Sequence, residues 1–147
     1  MKFNGSIDIN LPLEKVVELF KDEKNLKEWQ DGFIRKEHIN GLEGEKESVS
    51  MIYFKHGKQE MELTETITNN DLPHSIEAFY HHKHMDNTLK TSFTSISESV
   101  TSYEIDGEYL AFRGFMPKLL ATLFPSMFRK QAEKWMHNFK GFCEGLK

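Results

Sequence analysis

Glu65 and Tyr80 carry the strongest chemical signal in this chain. Glu65 stands between Leu63 and Ile67 in an alternating stretch, so its carboxylate is carried to the same face as those apolar side chains, near Tyr80. A carboxylate withdrawn from water and set beside a phenol is equipped for general acid or base chemistry. Two competing readings are a structural hydrogen bond from Glu65 to Tyr80 or Tyr103, and a bulge that returns Glu65 to solvent. Tyr80 and Tyr103 have apolar bodies and polar tips, which suit either orienting a ligand or ordinary core packing.

Other reactive residue types are present without a completed pattern. His81, His82 and His84 invite a metal reading, but in a strand His82 and His84 share a face while His81 points away. No carboxylate or cysteine completes a zinc spacing around them, so a solvated hairpin tip is expected, with no metal and no cofactor assigned. Cys143 borders the apolar stripe of the last helix and reads as packing, not as a nucleophile. The serines between residues 92 and 102 lack a Gly-x-Ser-x-Gly elbow, and no glycine-rich phosphate loop occurs.

The elements that position these residues are legible from periodicity. Phe3, Ile7 and Ile9 alternate with polar residues in an opening strand that keeps Gly5 on the apolar side. Pro12 suits a first helical turn, after which Leu13, Val16, Val17 and Phe20 form one stripe. Asp22 can cap a second short helix carrying Leu26 and Trp29, ended by Asp31-Gly32. Strands are expected at Phe33 to Asn40, Ser48 to Lys55, Gln59 to Thr68, His74 to His82, Met85 to Ile96 and Val100 to Phe112.

Turn chemistry then sets the registers. A His56-Gly57 turn pairs Phe54 with Gln59, Ile52 with Met61 and Ser50 with Leu63. The cluster at residues 69–73 sets Leu63 near Tyr80 and Glu65 near Ala78. Turns near Lys83 and Glu98 place Tyr80 by Asn87, Ala78 by Leu89, Ile76 by Thr91, Phe93 by Tyr103 and Thr91 by Ile105. Ile52, Phe54, Met61, Leu63, Glu65, Ala78, Tyr80, Leu89, Phe93 and Tyr103 are therefore candidate inner-face ligand contacts.

A long amphipathic helix from about Gly114 to Leu146 closes the chain, and Pro125 is expected to kink or split it. Its first half supplies Met116, Leu120, Leu123 and Met127 as candidate cavity residues, since methionine adapts to varied apolar partners. Trp135, Met136, Phe139, Phe142 and Leu146 extend the stripe.

Composition bounds the partners. The 147 residues suffice for one domain with a real core, expected to span 1–147. A net charge of -4, from 23 acidic against 19 basic residues, argues against nucleic-acid binding. The basic residues Arg129, Lys130, Lys134 and Lys140 sit on the polar face of the last helix, where charges are ordinarily solvated. A single cysteine cannot form an internal disulfide, and the start lacks the apolar run of a signal peptide, so a soluble cytoplasmic protein without stable membrane insertion is expected. The sequence defines no protein partner.

The segments Ile7 to Val16, Trp29-Gln30-Asp31-Gly32-Phe33, Phe115-Met116 and Met136 to Lys140 together resemble the START-related polyketide cyclase superfamily, often called SRPBCC. The resemblance implies an α+β helix-grip fold: a seven-stranded curved antiparallel sheet, two short helices after the first strand, and a long C-terminal helix over a ligand cavity. Lipid-transfer domains, plant pollen allergens, aromatases and cyclases, and chaperone-activator domains share that superfamily without a universal catalytic motif. The favoured expectation is binding of a small hydrophobic or amphipathic molecule, a lipid or an aromatic, polyketide-like metabolite. The alternative is a cyclase or dehydratase using Glu65 and Tyr80 for proton transfer.

Overall fold

The computed structural model describes residues 1–123 and 126–145. Strand β1 (Lys2–Ile9) leads through Pro12 into helix α1 (Leu13–Lys21). The Pro12 carbonyl accepts from the Lys15 and Val16 amides at 3.1 and 3.0 Å, so a residue with no N–H of its own starts the helix at no loss. Asp22 then caps a 3-10 turn (Glu23–Asn25) by accepting from the Lys24 amide at 3.0 Å, and the turn runs into α2 (Leu26–Trp29). Strands β2 (Phe33–Asn40), β3 (Val49–His56), β4 (Gln59–Asp71), β5 (Ser75–His81), β6 (Met85–Ser97) and β7 (Val100–Phe112) follow, then helices α3 (Phe115–Leu123) and α4 (Ser126–Gly145). The expected break at Pro125 and the stripe residue Leu146 lie outside the described residues.

The seven strands form one antiparallel sheet in the order β1-β7-β6-β5-β4-β3-β2. Chain reversal at each hairpin orders β2 to β7 consecutively, and β1 completes the sheet by pairing with β7 through Ile7↔Tyr103 and Phe3↔Gly107. Gly107 is required where it stands: a Cβ there would lie 2.2 Å from a carbon of the Phe3 ring.

Two registers differ from the turn-based expectation. The β3–β4 hairpin closes through Gly57-Lys58, with His56 opposite Gln59, so Phe54 faces Met61, Ile52 faces Leu63 and Ser50 faces Glu65. Gly57 adopts φ +63°, the left-handed conformation that moves the turn one residue along. Between β4 and β5 the turn pairs Asp71 with Ser75, and a one-residue irregularity at Ile67/Asn69 then sets Ile67 against Ala78 and Glu65 against Tyr80, in place of Glu65 against Ala78. Both differences are slips of two, so the inner-face assignment survives. The β5–β6 and β6–β7 pairings, Tyr80↔Asn87, Ala78↔Leu89 and Phe93↔Tyr103 among them, are as expected.

The core gathers where the small helices, the sheet and α4 meet. Ile9, Val16, Phe139 and Cys143 are fully buried, and Phe20 packs edge-on to Phe93 and Phe139 with ring centroids 5.1 and 5.8 Å apart. Trp29 joins this cluster, 5.2 Å from Phe139 and 6.4 Å from Trp135. Burial of each such aromatic stabilises the fold by about 1.5–3 kcal/mol relative to exposure. Polar bonds pin the same junction: Asn138 donates to the Trp29 carbonyl at 3.1 Å, and Lys134 pairs with Asp31 at 2.8 Å. Among the described residues, no helix is long and apolar enough to cross a membrane.

Candidate functional site

A polar row crosses the concave face of the sheet. Successive pairings align Ser50, Glu65, Tyr80, Asn87 and Tyr109 on strands β3 to β7. With adjacent strands about 4.8 Å apart, the row spans about 19 Å. Apolar positions flank it on both sides, Ile52 and Leu63 on one, Ile67, Ala78 and Leu89 on the other.

The centre of the row is a hydrogen-bonded cluster. Tyr80 donates its hydroxyl to Glu65 Oε2 at 2.7 Å, and Lys36 Nζ lies 2.9 Å from Glu65 Oε1. The same ammonium lies 3.5 Å from Glu23, on the 3-10 turn between the small helices. Side-chain exposure is 12% for Glu65 and 17% for Lys36, so the pair is far less screened than a surface ion pair. Burial works against the Lys36 ammonium, but the Glu65 and Glu23 carboxylates outweigh it and raise its pKa above the ordinary lysine value. Burial, followed by the nearby Glu65 charge, pushes the Tyr80 phenol well up, so this hydroxyl stays protonated and serves as a donor. Tyr80 nevertheless keeps accessible surface, as does Tyr109, whose phenol burial pushes up to about 12. Both rings are thus set deep in the fold while keeping part of their surface.

The carboxylate is already committed on both oxygens. Glu65 therefore matches both the inner-face placement and the structural hydrogen bond to Tyr80 that the sequence left open, while Tyr103 lies elsewhere, stacked on Phe93 with centroids 5.4 Å apart. Lys36 had no sequence signal. Phe33 faces inward opposite Phe54, and strict alternation from it would turn Arg35 inward and Lys36 out; the register shift between Phe33 and Arg35 reverses this, bringing Lys36 opposite Ile52. Asn87 entered the sequence reading only as the partner of Tyr80, and Tyr109 had no place in it.

The apolar candidates divide by their free surface. Met61, Leu63, Leu89 and Leu120 are half-buried, whereas Ile52 and Ala78 are buried beside the row. Phe54, Phe93 and Tyr103, 1%, 2% and 3% exposed, spend their surface on packing: Phe54 stacks on Trp135, and the other two pack around Phe20. Met116, Leu123 and Met127 depart from the cavity-facing expectation, being 56%, 59% and 50% exposed. For Met116 and Leu123 the reason is that α3 meets the rest of the fold mainly at β7 and buries none of its residues; Met127 stands in the first turn of α4, whose buried residues Met136, Phe139 and Cys143 all lie further along the helix. Phe128 of α4 reaches the end of the polar row, its ring 5.0 Å from Tyr109.

The histidine hairpin is organised by a residue the spacing did not reveal. Arg113, at the end of β7, donates to both oxygens of Asp86 at 2.9 and 2.8 Å and also to the His82 carbonyl, while His81 Nδ1 lies 2.6 Å from Asp86. Hydrogen bonding from Arg113, then from His81, holds the Asp86 carboxyl at about 2. This cluster fastens the β5–β6 turn to the start of α3 and stands apart from the polar row. Two surface clefts of about 410 and 460 Å³ meet at Lys90 and Ser92. Those two residues alternate with Leu89, Thr91 and Phe93 and so turn to the convex side, away from the polar row.

No family model matches the chain, and no curated protein matches its sequence. Solved structures do. The fold is similar to that of TTHA0849 from Thermus thermophilus, at 16% identity, with 100% of this chain and 99% of that one covered and a TM-score of 0.79. It is similar to the Zhui aromatase/cyclase from a Streptomyces species at 8% identity, with 98% and 93% covered and a TM-score of 0.80. A START superfamily protein from Mycobacterium smegmatis matches at 10% identity, with 99% of each chain covered and a TM-score of 0.77. The shared architecture is the helix-grip fold over the full length of the chain; identities this low carry the fold alone.

Proposed function

We propose that this protein binds a small amphipathic molecule, a lipid or an aromatic, polyketide-like metabolite, in the recess between the sheet and the C-terminal helices. The observation that carries this reading is the row Glu65–Tyr80–Asn87–Tyr109 flanked on the concave face by Ile52, Leu63, Ile67, Ala78 and Leu89. A few convergent polar groups among apolar walls are what a small-molecule site requires. Met61, Leu63, Leu89 and Leu120 would take the apolar body of the ligand, and Glu65 and Tyr80 its polar end. The kinship in fold with an aromatase/cyclase and a START superfamily protein supports the same reading.

Native mass spectrometry of the purified protein tests it directly, by the appearance of a retained small molecule. An environment-sensitive hydrophobic dye should bind at micromolar concentration, and Met61→Trp or Leu120→Trp should weaken its uptake by filling the space. Absence of a bound molecule, of dye uptake and of any ligand-dependent rise in melting temperature would reject the proposal.

The second reading, a cyclase or dehydratase, rests on the 2.7 Å contact between Tyr80 and Glu65. In it Glu65 would accept a proton from the substrate and Tyr80 would donate one. Against it, both carboxylate oxygens are engaged, one by Tyr80 and one by Lys36, so a base must first be released. Glu65→Gln decides: a general base loses on the order of 100-fold or more in turnover with affinity retained, and equal turnover excludes the role.

A further inference from the structure

The charge of the polar cluster restricts the kind of head group the recess accepts. Lys36 contributes one positive charge, and Glu65 and Glu23, at 2.9 and 3.5 Å from its ammonium, contribute two negative ones. The cation of the cluster is thus already neutralised. A ligand carboxylate arriving there would have to draw Lys36 from Glu65, leaving a protein carboxylate with 12% side-chain exposure beside a second anion. Like charges in a poorly solvated site disfavour each other strongly.

The hydrogen-bonding inventory points the same way. The Tyr80 proton is spent on Glu65, so what Tyr80 offers the recess is the lone pair of its hydroxyl oxygen. Glu65, with each oxygen accepting one bond, has further lone pairs. Asn87 directs one amide N–H at the Thr88 carbonyl at 3.3 Å, which leaves its carbonyl oxygen to accept and its second N–H to donate. The Tyr109 hydroxyl has no hydrogen-bond partner among the described residues and can donate or accept. Asn87 and Lys36 keep one N–H each against the acceptor sites of Tyr80, Glu65 and Asn87, so a ligand hydroxyl, which both donates and accepts, satisfies the row without disturbing the ion pair.

We infer that, within the proposed binding function, the recess selects an uncharged amphiphile bearing hydroxyl groups and discriminates against fatty-acid-like carboxylates through the negative balance of Glu23, Lys36 and Glu65. This rests on the recess being a ligand site and adds the chemistry of the ligand's polar end.

The test uses two probes of equal chain length, decan-1-ol and decanoate, with affinities measured by calorimetry or by displacement of the hydrophobic dye at pH 7.5. Any apolar pocket favours the alcohol to some degree, so the decisive quantity is how the ratio changes with the cluster. The wild type should bind decan-1-ol at least tenfold more tightly than decanoate. Glu65→Gln removes one negative charge and frees Lys36, so decanoate should gain and the ratio should fall by tenfold or more. Lys36→Met should move the ratio the other way. Tyr80→Phe, the mildest variant, removes the lone pair and should weaken decan-1-ol several-fold, a control that holds if either charge variant fails to fold. Decanoate binding as tightly as decan-1-ol, or a ratio unchanged by Glu65→Gln with both probes still bound, overturns the head-group inference and leaves the binding site standing. Neither probe binding the folded wild type, with no dye uptake, overturns the site itself.

Discussion

Trp29→Ala is the sharpest probe of how the small helices close this fold. Trp29 is 6% exposed, stacks on Phe20 at 6.0 Å with 26° between planes, and meets Trp135 and Phe139 edge-on. Truncating a buried aromatic of this kind costs about 3–5 kcal/mol through lost transfer energy and the cavity left behind. One contribution runs the other way. The indole Nε1 is buried without a hydrogen-bond partner among the described residues, and its removal relieves a desolvation penalty of about 1–3 kcal/mol. The net loss should therefore be about 2 kcal/mol, or a drop in melting temperature of about 4–8 °C for a chain of this length. Trp29→Phe removes the same unpartnered N–H while keeping a ring against Phe20 and Phe139, and should cost less than about 1.5 kcal/mol. Urea unfolding followed by far-ultraviolet circular dichroism suits the measurement, because Trp29 is one of only two tryptophans and its loss distorts fluorescence. A Trp29→Ala loss under about 1 kcal/mol, or a Trp29→Phe loss equal to it, would refute the packing role assigned to this ring.

Three further outcomes follow from other parts of the structure. Gly107→Ala should destabilise by about 1–3 kcal/mol in the same assay because its Cβ meets the Phe3 ring at 2.2 Å, and Phe3→Leu in the same chain should recover part of the loss. Arg113→Gln should lower stability by an amount that is greatest above about pH 4 and shrinks as the pH falls toward 2. The sign follows from Asp86, whose carboxyl is held at about 2 against its ordinary 3.8: the Arg113 contribution is complete above the unfolded value and vanishes once Asp86 protonates in the folded state. Acid titrations of both proteins check it, and a gap that widens on acidification would contradict it. Cys143 is fully buried, and burial, then the neighbouring Glu144, pushes its thiol up to about 12, so a disulfide reagent at pH 8 should label it only at the rate of unfolding. Fast labelling of the native protein would place this thiol outside the core.

Much of this architecture was determined locally. Alternation, turn residues and one proline at a helix start are short-range signals, and β2, β6 and β7 begin where the pattern places them because flanking turns leave the backbone few alternatives. The inner-face parity of Leu63, Glu65 and Tyr80 was legible for the same reason, since a side chain changes face only if the register slips by an odd number. What the sequence did not contain was the pairing of side chains across β3–β4 and β4–β5. A left-handed Gly57 moved the β3–β4 register by two, and the Asp71–Ser75 turn together with the one-residue irregularity at Ile67/Asn69 moved the β4–β5 register by two, which joined Glu65 to Tyr80. The irregularity after Phe33 rotated Lys36 into the face that alternation would have given to Arg35. The exposure of Met116 and Leu123 was likewise beyond periodicity, because an apolar stripe specifies a face to be covered while the docking of α3 against β7 decides how much of it is. The ion pair of Lys36 with Glu65, 29 residues apart in sequence, exists only because three strands and a 3-10 turn bring both to one recess.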